Sequence, residues 1–273
     1  MIAVVTGASS GIGAATARRL AGEPGAQLVL VARRRERLEA LAAELGGATV
    51  LAEDLSAQDA PGRVAERVER EHGRLDLLVN NAGSSARGRF DDSGWTQMRR
   101  TMALNFDAQV RLTEALLPLL RRSAPSAVVN VASVAGRVAR AGTGAYSASK
   151  FALVGWTESL YLEERPHGVH VGLVLPGFVA TEGFPQRELL ANRWTRWAVS
   201  TPERVAEAIV DAGLGRRAER YVPRAYALVP LVRYALPGLY RRAVQGGRFT
   251  PATPASPATP VAPSRPAGPP STS

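Results

Sequence analysis

A chain of 273 residues that is 45% hydrophobic can bury a sizeable core, and its length suits one large α/β domain or two small ones. It contains no cysteine, which excludes disulfides, thiolate chemistry and zinc sites built on Cys, and His72, His167 and His170 form no metal-binding pattern, so no metal is expected. The formal charge of +10 comes from arginines scattered along the chain (99–100, 121–122, 216–217, 241–242), which reads as solvated surface; no nucleic-acid partner is expected.

No apolar run approaches the roughly 20 residues of a transmembrane helix. Met1 leads straight into an apolar strand without a basic leader, so a cytoplasmic protein is the expectation. One count is sharper: of 34 basic residues, 33 are Arg and only Lys150 is Lys. A chain that uses Arg almost everywhere has placed its single compact, three-donor ammonium where a planar fork does not serve.

In chain order, residues 2–6 read as a strand and 11–21 as a helix. The turn between them is Thr6-Gly7-Ala8-Ser9-Ser10-Gly11-Ile12-Gly13. Its glycines permit a tight turn and close approach of a pyrophosphate, and the helix start aims free N–H groups at the phosphates. A second strand, 27–32, ends in Ala32-Arg33-Arg34-Arg35 before a helix over 35–45. No carboxylate stands where one would hold a ribose 2′-hydroxyl, whereas Arg33 suits a 2′-phosphate, so NADP(H) is expected over NAD(H).

A third strand, 49–52, is followed by Asp54, placed for the adenine edge, and Leu55 beside it; a helix covers 61–72. The fourth strand, 75–80, ends in Asn80-Asn81-Ala82-Gly83. A long helix spans 101–121, with Asn105, a poor helix former, inside it. A buried Asn there would hold a kink and an ordered water near Lys150; an exposed surface Asn is the other reading.

The fifth strand, 127–132, delivers Ser133 to the crevice at its C-terminal end, where it either bonds a substrate oxygen or caps a turn. The next helix, 145–164, carries Tyr146 and Lys150 four residues apart and therefore on one face. An ammonium beside a phenol favours the phenolate, which lowers a pKa ordinarily near 10 and lets the group trade a proton near neutrality.

Strand 169–175 leads to a lobe over 176–200 that holds Phe178, Phe184, Trp194 and Trp197. These aromatics either line an apolar pocket or pack the lobe on its surroundings. Pro202 opens a helix over 203–214, and strand 220–223 follows. Residues 226–244 are apolar and arginine-bearing, interrupted by Pro230 and Pro237, and read as a cap over the site or as a segment lying on a membrane. Residues 250–273 are almost wholly Pro, Ala, Ser, Thr and Gly and read as a disordered tail. The alternation of strands and helices predicts an α/β fold with a doubly wound parallel sheet, a single domain over 1–249.

Thr6–Gly13, Asn80–Gly83, Asn105, Ser133, Tyr146 with Lys150, and Pro176-Gly177 with Thr181 together resemble the short-chain dehydrogenase/reductase family, over about residues 1–222. The resemblance implies a Rossmann-type oxidoreductase in which Tyr146 is the general acid or base, Lys150 lowers its pKa and holds the nicotinamide ribose, Ser133 positions the reacting oxygen and Asn105 completes a proton relay. It implies that Ile12, Arg33, Asn81, Ala82, Gly83, Pro176, Gly177 and Thr181 border the cofactor; Gly7, Ser9, Ser10, Gly11 and Gly13 of the turn and Asp54 at the adenine edge complete the expected cofactor set, with Leu55 beside Asp54 read as core, and the lobe's aromatics add a hydrophobic substrate met by Ser133, Tyr146 and Phe178. Some NADP-preferring members also carry a basic residue in the glycine turn, where this chain has Ser10. Members commonly pair through the two long helices, so a homodimer or homotetramer is expected. A non-catalytic NADP(H) sensor and a membrane-peripheral reductase of lipid-like substrates are the rival readings.

Overall fold

A computed structural model describes residues 1–85, 87–182, 186–193 and 196–245. Seven parallel strands form the main sheet: β1 (Ile2–Thr6), β2 (Gln27–Ala32), β3 (Thr49–Ala52), β4 (Leu77–Asn80), β5 (Ser126–Val131), β6 (Val169–Pro176) and β9 (Glu219–Val222), in the order β3-β2-β1-β4-β5-β6-β9. The order reverses between β1 and β4, which opens a crevice at their C-terminal ends.

Alternate residues of each strand feed the two faces of this sheet. On one face, Ala3, Val5, Leu28 and Leu30 pack against Leu20 of α1 (Gly11–Ala21), Leu38 of α2 (Arg35–Glu44) and Ile209 of α8 (Pro202–Gly213). On the other, Val4, Val29 and Leu78 meet Val64 of α3 (Ala60–His72), Leu112 and Leu116 of α5 (Ala108–Arg122) and Leu160 of α6 (Gly144–Glu164). A doubly wound sheet buried on both faces is what the near-continuous apolar runs of the strands require.

Three expectations change. The helix over 101–121 is longer and interrupted: α4 (Phe90–Met102) precedes it, and Ala103–Asp107 is a π-helical segment. The outward-facing Phe90 and Trp95 blur the apolar period that would have revealed α4. The extra residue of the π turn brings Asn105 fully inside.

The fourth strand starts at Leu77: the Leu75 N–H donates to Ser123 Oγ at 3.0 Å, and Asp76, whose backbone still bonds Ile2 and Ala127, also accepts from the Ile2 N–H through Oδ2 at 2.6 Å. The lobe contains two short strands that the sequence does not announce, β7 (Phe178–Val179) and β8 (Val199–Ser200), which pair with each other around α7 (Arg187–Ala191). Phe184 and Trp194 lie outside the described residues, as does the tail from residue 246 onward.

The prolines of the C-terminal segment delimit two helices, α9 (Leu228–Ala235) and α10 (Pro237–Gln245). Pro230 lies in the first turn of α9 and Pro237 opens α10, positions where a missing N–H breaks no helical hydrogen bond. Tyr226, Val229 and Tyr240 pack on Leu153, Leu173 and Leu175, so this segment sits as a cap on the end of the sheet.

The last turn of α5 is tied to the last turn of α6. The Arg121 guanidinium grips the buried Glu164 carboxylate through two hydrogen bonds, of 2.9 and 2.6 Å. Removing the cation strands a buried charge. Arg121→Met is expected to destabilise the fold by about 2 kcal/mol, with Arg121 half-exposed and the penalty reduced accordingly. Adding Glu164→Gln should recover part of the loss. Urea unfolding midpoints check this; equal stability of Arg121→Met and the parent would remove the role.

Candidate active site

The turn after β1 is shaped by close backbone approaches. Gly7 and Gly11 adopt φ of +67° and +56°. A Cβ on Gly13 would lie 2.2 Å from the Gly7 carbonyl oxygen, so no larger residue fits there. α1 therefore begins against the end of β1 with no acidic residue in its first turn, and its free N–H groups face the crevice. Ile12 packs beneath, on the core that α1 covers.

The wall opposite this turn is built from β4. Asn81 donates from Nδ2 to the Thr6 carbonyl at 2.9 Å, and the N–H groups of Asn81 and Ala82 both donate to Thr6 Oγ1 at 2.9 Å. Gln109 of α5 holds the Ala82 carbonyl at 2.9 Å. Asn81 is thus a clamp between two strand ends, directly against Gly7.

Arg34, which sequence reasoning passed over for its neighbour, reaches the glycine turn. It donates to Ser9 Oγ at 3.0 Å and to Ser10 Oγ at 2.8 Å. Ser10 thus has a cation beside it, supplied from the end of β2. Arg33 stands exposed. Asp54 accepts from both the N–H and the hydroxyl of Ser56, which holds its carboxyl below the usual range, and the Arg33 charge adds to this. Leu55 turns its side chain into the core.

On the other side of the crevice, Ser133 leaves β5 and caps a single 3₁₀ turn, Val134–Gly136. Its hydroxyl accepts from the Ala135 N–H at 3.1 Å and donates to the Pro176 carbonyl at 3.3 Å. A Cβ on Gly136 would lie 2.6 Å from the Lys150 carbonyl oxygen, so this turn seats directly on the α6 backbone. The position of α6 is fixed deeper down as well. Asn80 donates to Thr113 Oγ1 at 2.8 Å and Asn130 Oδ1 at 2.9 Å, and Asn130 donates to Thr157 Oγ1 of α6 at 2.9 Å.

Tyr146 and Lys150 stand one turn apart on α6, and the crevice collects their neighbours. Lys150 Nζ is buried and donates to the Val131 carbonyl at 2.8 Å. Gly83 approaches so closely that a Cβ there would be 3.1 Å from Asn105 Oδ1 and 3.8 Å from Lys150 Nζ. Asn105 has a partner on each amide hydrogen and one on its oxygen. It donates to the Ser84 carbonyl and Ser149 Oγ at 3.0 and 3.1 Å and accepts from the Ser84 N–H at 2.8 Å.

The acid–base balance departs from the expected one. Burial pushes the Tyr146 phenol above its ordinary value, while the neighbouring Ser133 hydroxyl and Arg87 guanidinium pull it back. Burial also pushes the Lys150 ammonium down, to about 8. In this structure desolvation of both groups outweighs the lowering of the phenol that their spacing suggests.

The end of β6 closes the crevice. Gly177 donates to the Val222 carbonyl at 2.9 Å, and a Cβ on it would strike the Tyr226 ring at 2.3 Å. The Tyr226 hydroxyl donates to the Ala198 carbonyl at 3.0 Å, joining the C-terminal cap to the lobe. Arg140 lies over the Phe178 ring at 5.0 Å. Thr181 touches the space over Gly11, and Glu182 accepts two hydrogen bonds from Arg37 at 2.6 and 2.9 Å, so the lobe arches across the glycine turn to α2. Ser133, Tyr146, Lys150, Asn105 and Gly83 gather at one side of this crevice and Gly7, Ser9, Ser10 and Thr181 at the other, whereas Ile12 and Leu55 pack on the core, Asp54 is bonded to Ser56 and Arg33 is exposed. Tyr226, Arg34 and Arg37 join them from segments without a motif to mark them.

Comparison with known proteins agrees with this geometry. The short chain dehydrogenase family model matches residues 1–189. An uncharacterized oxidoreductase of Bacillus subtilis, YxnA, is 33% identical over 254 residues, covering 89% of this chain and 71% of the relative. The ketoacyl reductase HetN of Nostoc is 32% identical over 214 residues, covering 77% and 74%. The crystal structure of a short-chain dehydrogenase from Streptomyces avermitilis superposes with a TM-score of 0.73 at 30% identity, over 91% of this chain and 98% of that one. With its motifs, topology and relatives in agreement, the chain belongs to the short-chain dehydrogenase family of oxidoreductases.

Proposed function

We propose that the protein is an NADP(H)-dependent oxidoreductase that interconverts a carbonyl and an alcohol on a hydrophobic small molecule or acyl-type substrate. The observation that carries this reading is the meeting of Tyr146, Lys150 and Ser133 at the mouth of β5 and β6, beside Gly83 and Asn105. The residues present fit a dinucleotide. The cradle of Gly7, Gly11 and Gly13 admits backbone close to a pyrophosphate, Arg34 supplies a cation beside Ser9 and Ser10, and the exposed Arg33 next to it in sequence offers a second for a 2′-phosphate. Bound there, the nicotinamide supplies or accepts the hydride.

In reduction, Tyr146 gives its phenolic proton to the carbonyl oxygen while Ser133 holds that oxygen by a hydrogen bond; oxidation runs the same transfers backward. A phenol kept above its ordinary pKa by burial is protonated at neutral pH and ready to act as the acid. Lys150 holds the ribose side of the cofactor through its ammonium. Asn105 braces the Ser84 backbone and Ser149, and so fixes the floor beside Lys150. Pro176, Gly177, Thr181 and Phe178 flank the nicotinamide and substrate end. The Nostoc relative's name, a ketoacyl reductase, supports the acyl-type reading. We take copies of the chain to pair through the faces of α5 and α6, where Leu162 stands exposed.

Tyr146→Phe is expected to keep NADPH binding, read by fluorescence of the reduced nicotinamide, and to lose about a thousandfold or more in turnover of an apolar ketone. Retained turnover would reject Tyr146 as the proton donor. Arg33→Ala is expected to weaken NADPH by roughly tenfold or more and to leave NADH nearly unchanged. Equal weakening of both cofactors contradicts a 2′-phosphate contact.

The Lys150 ammonium is charged below about pH 8 and neutral above it. Cofactor affinity should therefore be level below that value and fall as pH rises through it, because a cation that holds the ribose is lost. Titrating affinity against pH in the parent and in Lys150→Met tests this. The same break in both proteins would assign it to another group.

A further inference from the structure

α9 and α10 turn most of their apolar residues outward. Leu228, Leu231, Val232, Tyr234, Leu236 and Leu239 are 41 to 66% exposed. In α9, Leu228, Leu231 and Val232 recur at spacings of three and four, so they share one face. The opposite side already has its partners. Val229 and Tyr240 pack on the core, the Tyr240 hydroxyl donates to the Ala139 carbonyl at 2.8 Å, and Arg233 stacks over Phe151 at 5.1 Å. The outward leucines are therefore a second apolar face on helices that are docked without them. Six large apolar side chains concentrated on one surface segment mark an interaction site.

The charge around this face narrows the choice of partner. Over residues 221–245, the described part of the cap, the sequence has four arginines, Arg224, Arg233, Arg241 and Arg242, and neither Asp nor Glu. Arg224, Arg241 and Arg242 are exposed among the leucines. A symmetric contact between two copies would press these arginine-bearing, carboxylate-free helices together, which like-charge repulsion opposes. Short helices with leucines on one side, arginines at the rim and no carboxylates match an element that lies in the headgroup layer of an anionic membrane. Among the described residues no helix is long and apolar enough to cross one.

We propose that the outward face of α9 and α10 docks the protein on the surface of an anionic lipid bilayer, leucines at the acyl boundary and arginines on the lipid phosphates. The same cap touches the substrate lobe through Tyr226, Gly177 and Ala198. On the function proposed above, an apolar substrate dissolved in the bilayer would then lie beside the crevice that reduces it.

The test is co-sedimentation of the full chain with vesicles. Phosphatidylcholine vesicles containing phosphatidylglycerol should bind the protein, and pure phosphatidylcholine vesicles should bind it far less. Leu231→Gln with Leu239→Gln keeps every charge and alters only exposed positions. It should lower partitioning by roughly tenfold or more with an unchanged thermal melt and unchanged NADPH binding. Undiminished partitioning of the double variant would mean diffuse attraction of a basic protein and would overturn the proposal. So would a parent protein that ignores anionic vesicles, whether it then proves to be an oligomer that the double variant separates or to be held by an acidic protein. Because NADPH binding is read separately, failure here leaves the proposed reaction standing, and failure of the reaction leaves this result readable.

Discussion

Thr6 is a fully buried hydroxyl that does three things at once. It donates to the Val79 carbonyl and accepts from the N–H groups of Asn81 and Ala82, while its own carbonyl takes the Asn81 side chain. These bonds join the ends of β1 and β4, the two strands between which the sheet reverses its winding. Beyond Asn80 the ladder has nothing further to offer these backbone groups, and buried N–H groups left without partners would cost free energy comparable to a lost hydrogen bond. Thr6 satisfies them and at the same time sets the width of the crevice. The glycine turn stands on one side of that clamp and Gly83 with Asn105 on the other, so both halves of the site take their positions from it.

The second half depends on how firmly α6 is seated. Its Thr157 is hydrogen-bonded to Asn130 in β5, its backbone at Lys150 lies under Gly136, and its far end is held by Arg121. The Tyr146–Lys150 pair is only as well placed as its helix, and this helix is fixed at three levels by different chemistry. Buried amide and hydroxyl networks of this kind are specific because each member has few alternative partners. The desolvation that shifts Tyr146 and Lys150 toward their neutral forms follows from the same tight seating.

Much of this was legible in the residues. The seven strands of the main sheet follow from apolar runs broken by turn chemistry, and the glycine turn and the Tyr146–Lys150 spacing name the two ends of the crevice. What stayed hidden is long-range or local in ways a pattern does not record. α4 is masked by exposed aromatics and by Gly94, whose backbone leaves the helical region. The π turn is invisible to a 3.6-residue period, although the unfavourable Asn105 inside an apolar helix marked the place. Arg34 rather than Arg33 reaches the glycine turn because of the direction in which the chain leaves β2. The contact of Tyr226 with Gly177 joins residues 49 positions apart in the sequence, and nothing local to either announces it. The Tyr146 shift runs opposite to what the spacing suggests, because spacing conveys the charge of a neighbour and not the loss of water around the pair.

Lys150 is the sequence's single lysine, and its ammonium is buried against the Val131 carbonyl. The surface accordingly presents no ε-amine. Enzymes that acylate, methylate or ubiquitinate lysines find no acceptor on its outside, and reagents that couple to ε-amines meet only this buried one. A catalyst built this way keeps its most reactive nitrogen shielded from covalent traffic and spreads its solubilising charge over guanidinium groups that such chemistry ignores.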